Sequence, residues 1–264
     1  KELLGTAGGV KKVQQFFKTT FLVISGDGLT DIDLAALFKF HRDKKSIATM
    51  VLKPVDVRFE YGVTLVDKNA RIKQFIEKPA WSDVFSNTVN TGIYVFEPAV
   101  FDLIPAGAFY DFGRDLWPLL LRLKKPIYGY ATDSYWCDIG NLAEYRRAQS
   151  AVLENKVKVN LPGKQIRPGV WVDRNTSIHP TVKMFHPCLI GKNCRIGKEV
   201  IIDKFTVIGN NCEIKPGARI GNSIIWNNVI VEKGVWLSNC IIGNNAIVKE
   251  NISVYEGTVI NIRA

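Results

Sequence analysis

In the stretch VISGDGLTDIDL, residues 23–34, a few apolar or small residues run straight into an aspartate held between two glycines. A short apolar run that ends in glycine reads as a buried strand of a parallel α/β sheet. Ligands of such sheets bind beyond the carboxyl ends of the strands. With Gly26 and Gly28 on either side, the Asp27 carboxylate is bare enough for a metal-bound phosphate to approach the backbone. An Asx-turn that merely closes the strand uses the same residues, and the stretch alone leaves both readings open. Cysteine offers less. Cys137, Cys188, Cys194, Cys212 and Cys240 form no CxxC pair, which speaks against zinc, and nothing suggests a secreted disulfide framework. Reduced thiols of a cytoplasmic protein are expected.

The elements that must position Asp27 alternate. Strand-like runs are FLVIS (21–25), SIATMVL (46–52), TGIYVFE (91–97) and IYGYAT (127–132). Helical patterns lie at 33–45, 111–123 and 141–154, and the alternation predicts a mostly parallel sheet covered by helices. Residues 62–79 depart from it and read as a hairpin around DKNA. The 264 residues suit two domains, with 23% charged and 47% apolar residues as in a globular protein. No apolar run approaches the roughly 18 residues that span a bilayer, and no signal-peptide pattern opens the chain. The net charge of +10 is scattered, without an RNA-binding or helix-turn-helix motif. A basic surface that serves phosphorylated substrates, and no nucleic acid or membrane partner, is the expectation.

Beyond a connector at 155–175 the sequence becomes periodic in six. Ile178, Met184, Ile190, Ile196, Ile202, Ile208, Ile214 and Ile220 stand in register, and four residues after each comes Val182, Cys188, Cys194, Val200, Thr206, Cys212, Ala218 or Ile224. The phase then slips, continuing at Ile225, Val231, Trp236, Ile242 and Val248, with Val229, Val235, Cys240, Ala246 and Ile252 as their partners. Such hexads predict a β-helix of short parallel strands, three hexads to a coil. Bulky residues point inward and the four cysteines of this half are core filler. Gly191, Gly197, Gly209 and Gly221 fall where turns need a permissive backbone.

Taken together, LGTAGGV (4–10), VISGDGLTDIDL (23–34), EYGV (60–63), IEKP (76–79), NTGIYVFEP (90–98) and YWCDIGNLAEY (135–145) resemble the sugar-phosphate nucleotidyltransferases, most of all their mannose-1-phosphate guanylyltransferase branch. The resemblance implies an α/β Rossmann-like nucleotidyltransferase domain, N-terminally incomplete, over 1–154, and an all-β left-handed parallel β-helix over 176–264. It implies attack by a sugar 1-phosphate oxygen on the α-phosphorus of a nucleoside triphosphate, with release of pyrophosphate; GTP and mannose 1-phosphate are favoured. Residue by residue, Asp27 and Asp138 would hold Mg²⁺, and Lys78 would bind the sugar phosphate as a point charge. Glu77 would take sugar hydroxyls, while Gly62, Asn90, Thr91 and Trp136 would shape the sugar pocket. Gly5, Thr6 and Ala7 would form a loop against the nucleotide. Apart from the resemblance, Glu77 and Lys78 are an ordinary surface pair, Asn90 and Thr91 strand-end turn residues, and Trp136 core.

The family's glycine-rich loop with an Arg, followed by a Lys-Pro segment, has no counterpart ahead of Lys1, so little or no transferase activity is expected of this chain alone. Two rival readings stand beside this one. A hexapeptide acyltransferase would need a basic histidine, for which the β-helix half offers His179 and His186. A non-catalytic regulatory subunit would fit the missing loop. Self-association through the β-helix is a further expectation.

Overall fold

The computed structural model describes residues 3–55, 61–80, 82 and 85–259. Glu60 of EYGV and the last residues of the chain, 260–264, lie outside the described residues. The chain folds as two units, Lys1–Asp138 and Ile139–Ala264.

In the first unit, α1 (Gly5–Lys12) leads to β1 (Phe21–Ile24) and, after a turn at Asp27, to β2 (Gly28–Thr30). Helix α2 (Leu34–Asp43) starts where the Asp33 carboxylate accepts from the Ala36 amide at 3.0 Å, a side-chain N-cap. Then follow β3 (Ala48–Pro54), the hairpin β4 (Val63–Val66) and β5 (Ile72–Ile76), and β6 (Thr88–Phe96). A π-type turn at Phe112–Leu116 opens α3 (Trp117–Arg122), and β7 (Ile127–Ala131) and β8 (Trp136–Asp138) close the unit. The sheet runs β5-β4-β6-β3-β7, with β1 also on β6. Alternate residues of its central strands feed two cores. Met50, Leu52, Tyr94 and Phe96 pack with Leu116, Trp117 and Leu120, while Val51, Ile93 and Val95 pack with Leu37 and Ile32. Burial on both faces is why these strands read as unbroken apolar runs.

The sheet corrects one expectation. It is not mostly parallel: β6 is antiparallel to β1, β3 and β4, β4 is antiparallel to β5, and β3–β7 is the parallel pair. An apolar run buried on both faces reads alike in either direction, so the sequence carries burial and not polarity. The direction matters to the site. Ile24 stands opposite Ile93, so the amino half of β6 lies beside the carboxyl end of β1.

In the second unit, α4 (Leu142–Leu153) is capped by the Asn141 side chain, which accepts from the Glu144 amide at 2.9 Å. Its Leu153 packs with Trp171 and Leu189 on the outside of the β-helix. Strands start within the expected connector: β9 (Lys164–Arg167) and β10 (Val170–Val172) pair with each other, and β10 pairs with Cys188–Ile190 of the next coil. Successive coils are offset by 18 residues up to Arg219 and by 17 thereafter, as Cys188 over Thr206 and Arg219 under Trp236 show. Five strands stack on one face. Inside lie Ile190, Ile196, Ile202, Ile208, Ile214 and Ile220, each removed from water, a gain of about 1.5–3 kcal/mol apiece. Cys188, Cys194, Cys212 and Cys240 are buried among them and unoxidised; burial pushes the Cys188 thiol up to about 11.

Three details of the repeat differ from the expectation. Leu237, not Trp236, fills the inward place opposite Ile220, and Trp236 is 41% exposed. Ile252, expected as a core partner, is also 41% exposed. Most of the turns that need left-handed backbone are made by asparagine, with Gly217 and Gly234 at two others. Asn175, Asn193, Asn211, Asn228 and Asn245 have φ of 57–61°, and their side-chain amides hydrogen-bond from coil to coil. Gly191 and Gly209 serve contact instead: a Cβ there would lie 2.6 Å from Asn210 Oδ1 and 2.8 Å from the Trp226 carbonyl carbon.

Candidate active site

A cleft of about 580 Å³ opens in the first unit at the carboxyl end of β1. Three local features build it. The turn Ser25-Gly26-Asp27 leaves β1 and feeds β2, whose Gly28 stands opposite Asp138 of β8. The two carboxylates named from the sequence, 111 residues apart in it, are thereby brought to neighbouring backbone positions. Ser25 Oγ donates to Asp27 Oδ1 and fixes that carboxylate at the mouth.

The second feature is the start of β6. Gly92, at φ 73°, folds the backbone against Ser25, and a Cβ there would meet Ser25 Cβ at 3.2 Å. Asn90 is held at both ends. Its Oδ1 accepts from the Gly92 amide at 2.9 Å and its Nδ2 donates to the Tyr94 hydroxyl at 2.8 Å. Thr91 reaches the cleft by its backbone; its hydroxyl donates to the Val51 carbonyl at 2.9 Å. The Trp136 indole donates to the Thr91 carbonyl at 3.1 Å, and Tyr61 meets the Trp136 ring edge-on at 5.3 Å. Trp136 is therefore a wall of the cleft rather than core.

The third feature surrounds Glu77, just after β5. Its Oε2 is buried without a hydrogen-bond partner among the described residues. A Cβ at Gly62 would lie 2.7 Å from Oε2, and one at Gly113 would lie 2.5 Å from it. Burial, and then the Asp111 carboxylate, push Glu77 above its ordinary value, against the Lys78 and Arg114 cations. Lys78 itself is exposed, in a left-handed conformation at φ 46°. Strain of that kind persists only where surrounding structure enforces it.

All the residues named from the sequence line this cleft except Gly5 and Ala7. The LGTAGG stretch is not a loop. Gly5, at φ 68°, begins α1 and packs on the Tyr110 carbonyl, to which the Ala7 amide donates at 3.0 Å. Thr6 alone of the three faces the cleft, donating to Asp111 Oδ2 at 2.8 Å. The sequence reading missed Ser25, Tyr61, Asp111 and Gly113. The last two sit in DFGRD (111–115), which read as the start of a helix. There the Asp111 Oδ1 accepts from the Gly113 and Arg114 amides. The signal available was a cap aspartate two residues before a glycine.

The cleft holds no cluster of three or more His, Cys, Asp or Glu among the described residues. Its metal-binding potential is the Asp27–Asp138 pair. Two hard oxygen donors suit a cation that keeps its waters and takes phosphate oxygens, as Mg²⁺ does.

Residues 1–155 match the nucleotidyl transferase family model, and residues 167–264 match the EIF2B subunit epsilon LbH domain. A UTP–glucose-1-phosphate uridylyltransferase of Synechocystis is 42% identical over 84% of this chain and 59% of its own length. A mannose-1-phosphate guanylyltransferase of Mycobacterium tuberculosis is 30% identical over 84% of this chain and 56% of its own. The catalytic subunit beta of that enzyme type in Drosophila melanogaster is 30% identical over 74% and 50%. The chain thus spans half to three fifths of the length of these curated relatives.

Proposed function

Because the chain belongs to the nucleotidyl transferase family, we propose that its cleft binds a hexose 1-phosphate for nucleotidyl transfer from a nucleoside triphosphate, with pyrophosphate as the second product. The observation that carries this reading is the buried Oε2 of Glu77, which has no hydrogen-bond partner among the described residues. A sugar hydroxyl supplies the donor that this oxygen lacks, in a slot shaped by Gly62 and Gly113. Lys78, next along the chain, stands ready for the phosphate as a compact charge. Trp136 and Tyr61 wall the ring off from water, and the fixed Asn90 amide sets the floor.

Asp27 and Asp138 would hold a divalent cation, whose chemistry when bound is to neutralise phosphate charge so that two anions can meet. Ser25 keeps the Asp27 carboxylate turned to the mouth. Lys78 offsets the charge of the attacking phosphate, and Glu77 fixes the hexose so that the 1-phosphate oxygen points outward. Thr6 and α1 border the same mouth, where the nucleotide would lie.

Two substrate pairs compete. GTP with mannose 1-phosphate follows the motif resemblance and the 30% relatives. UTP with glucose 1-phosphate follows the 42% relative, and its higher identity makes it the first pair to try. An acyltransferase reading of the β-helix is not favoured, because it leaves the nucleotidyl transferase match of residues 1–155 unexplained. The β-helix is read as an assembly module, with exposed Trp236 and Tyr255 on its surface, and light scattering at micromolar concentration tests that. No helix among the described residues is long and apolar enough to cross a membrane; a cytoplasmic location, expected from the thiols, is part of this reading.

The test is a pyrophosphate-release assay with each triphosphate against each hexose 1-phosphate, with binding followed in parallel by calorimetry. Turnover lost in Asp27→Asn and Asp138→Asn supports the proposal. Turnover indifferent to both substitutions, or binding of neither hexose 1-phosphate at millimolar concentration, overturns it.

A further inference from the structure

A four-residue pattern occurs twice in the first unit: Arg42-Asp43-Lys44-Lys45 across the end of α2 and Arg122-Leu123-Lys124-Lys125 across the end of α3. Each leads into one strand of the parallel pair β3–β7, where Ala48 stands opposite Ile127. The Ile47 amide donates to the Pro126 carbonyl at 3.0 Å and ties the two approaches together. Adjacent strands lie about 4.8 Å apart, so the two basic runs share one small surface. It lies at the amino ends of β3 and β7. Since β1 runs with these strands, the surface is at the opposite end of the sheet from the cleft.

Helix C-termini attract cations, but that accounts for only part of the cluster. The caps are Lys44 and Leu123, and Lys45, Lys124 and Lys125 stand beyond them. Lys45 and Lys124 take left-handed backbone, at φ 47° and 51°. Lys44 Nζ lies 5.7 Å from the ring centres of both Phe40 and Tyr128. Arg71 adds its guanidinium, donating to the Lys124 carbonyl at 3.0 Å. The acid within the pattern, Asp43, is paired with Lys39. Among the described residues Arg42, Lys45, Arg122, Lys124 and Lys125 have no ion-pair partner. Like charges gathered this way repel in the free protein. Between Arg122 and Lys124 in the chain, Leu123 is 45% exposed.

We propose that, against the expectation of no membrane partner drawn from the scattered charge, this end of the first unit docks on an anionic lipid surface. The ammonium and guanidinium groups meet the headgroup anions, Leu123 enters the interface, and the cleft at the far end stays open to solvent. An oligonucleotide or an acidic protein would use the charges but has no need of an exposed leucine between them. An uncharged bilayer would find only one apolar side chain.

The probe is a phosphatidylcholine vesicle with and without 40% phosphatidylserine or phosphatidylglycerol (about the proportion needed for a strongly charged surface), with co-sedimentation of the 264-residue chain. Each cation at an anionic surface is worth about fivefold in partition. Lys45→Gln with Lys124→Gln is therefore expected to weaken binding about thirtyfold, and Leu123→Ser about tenfold. Lys198→Gln with Lys233→Gln, of equal net charge on exposed β-helix positions, leaves it unchanged. Neutral vesicles bind none of these proteins. The proposal falls if anionic vesicles are not bound, if both lysine pairs weaken binding equally, or if only a single-stranded oligonucleotide shows the dependence on Lys45 and Lys124.

Discussion

Glu77→Gln tests the slot between Gly62 and Gly113 by removing its charge and keeping its shape. A Cβ at either glycine would come within 2.7 Å of Oε2, so the slot admits a side chain of this size and no larger. Among the described residues Oε2 has no hydrogen-bond partner, and a buried polar group in that condition costs ~1–3 kcal/mol, more when charged. Removing the charge recovers about 1 kcal/mol, which raises the melting temperature of the first unit by ~4 °C. The sign with pH follows from burial, which raises the Glu77 pKa. The folded state then holds this proton more tightly than the unfolded chain. The penalty is absent below the ordinary carboxyl value of about 4.3 and complete once pH passes the folded-state value. Scanning calorimetry is therefore expected to show the gain at pH 7.5 and its loss toward pH 4.5. Titration calorimetry is expected to show about tenfold weaker binding of hexose 1-phosphate, the difference between a charge-assisted and a neutral hydrogen bond. A melting temperature that falls at pH 7.5, with hexose phosphate affinity unchanged, would refute the reasoning.

Other substitutions probe separate links. Asp138→Asn removes one of two carboxylates at the mouth and is expected to weaken Mn²⁺ binding more than tenfold by electron paramagnetic resonance; unchanged affinity would dissociate Asp138 from the metal. His41 is buried, bonded to Thr49 Oγ1 at 2.8 Å and Glu97 Oε1 at 3.1 Å, and burial lowers its pKa. The unfolded chain therefore takes up that proton first, and stability is expected to fall as pH drops below about 6.5. His41→Gln flattens that slope, and a slope unchanged in the variant would assign it elsewhere. Ile214→Ala opens the β-helix core and is expected to cost ~2–5 kcal/mol in chemical denaturation, whereas Trp236→Ala on the exposed face costs less; the reverse order would contradict the inward placement of Leu237.

What could be read beforehand follows from what each signal encodes. Hexads fixed the β-helix because stacking repeats one apolar place per face, and the one-residue slip near Ile224 marks the change from 18- to 17-residue coils. The slip also misled: Trp236 and Leu237 are both apolar, and only the pairing of Ile220 with Leu237 decides between them. Strand direction was illegible because burial on both faces of β3 and β6 erases alternation. The Asp27 carboxylate was visible through its flanking glycines. Asp111 was hidden because a helix cap and a cleft wall are the same aspartate seen from two sides. The glycines of LGTAGG suggested a loop, yet Gly8 faces the Ala108 carbonyl at a would-be Cβ distance of 2.7 Å, so they serve close packing of a helix.

The most direct measurement is a crystal structure of the chain grown with glucose 1-phosphate. The account predicts a sugar hydroxyl donating to Glu77 Oε2 and the phosphate against Lys78 Nζ, with the ring facing Trp136. Hexose phosphate bound elsewhere, or a cleft still empty under saturating ligand, would contradict it.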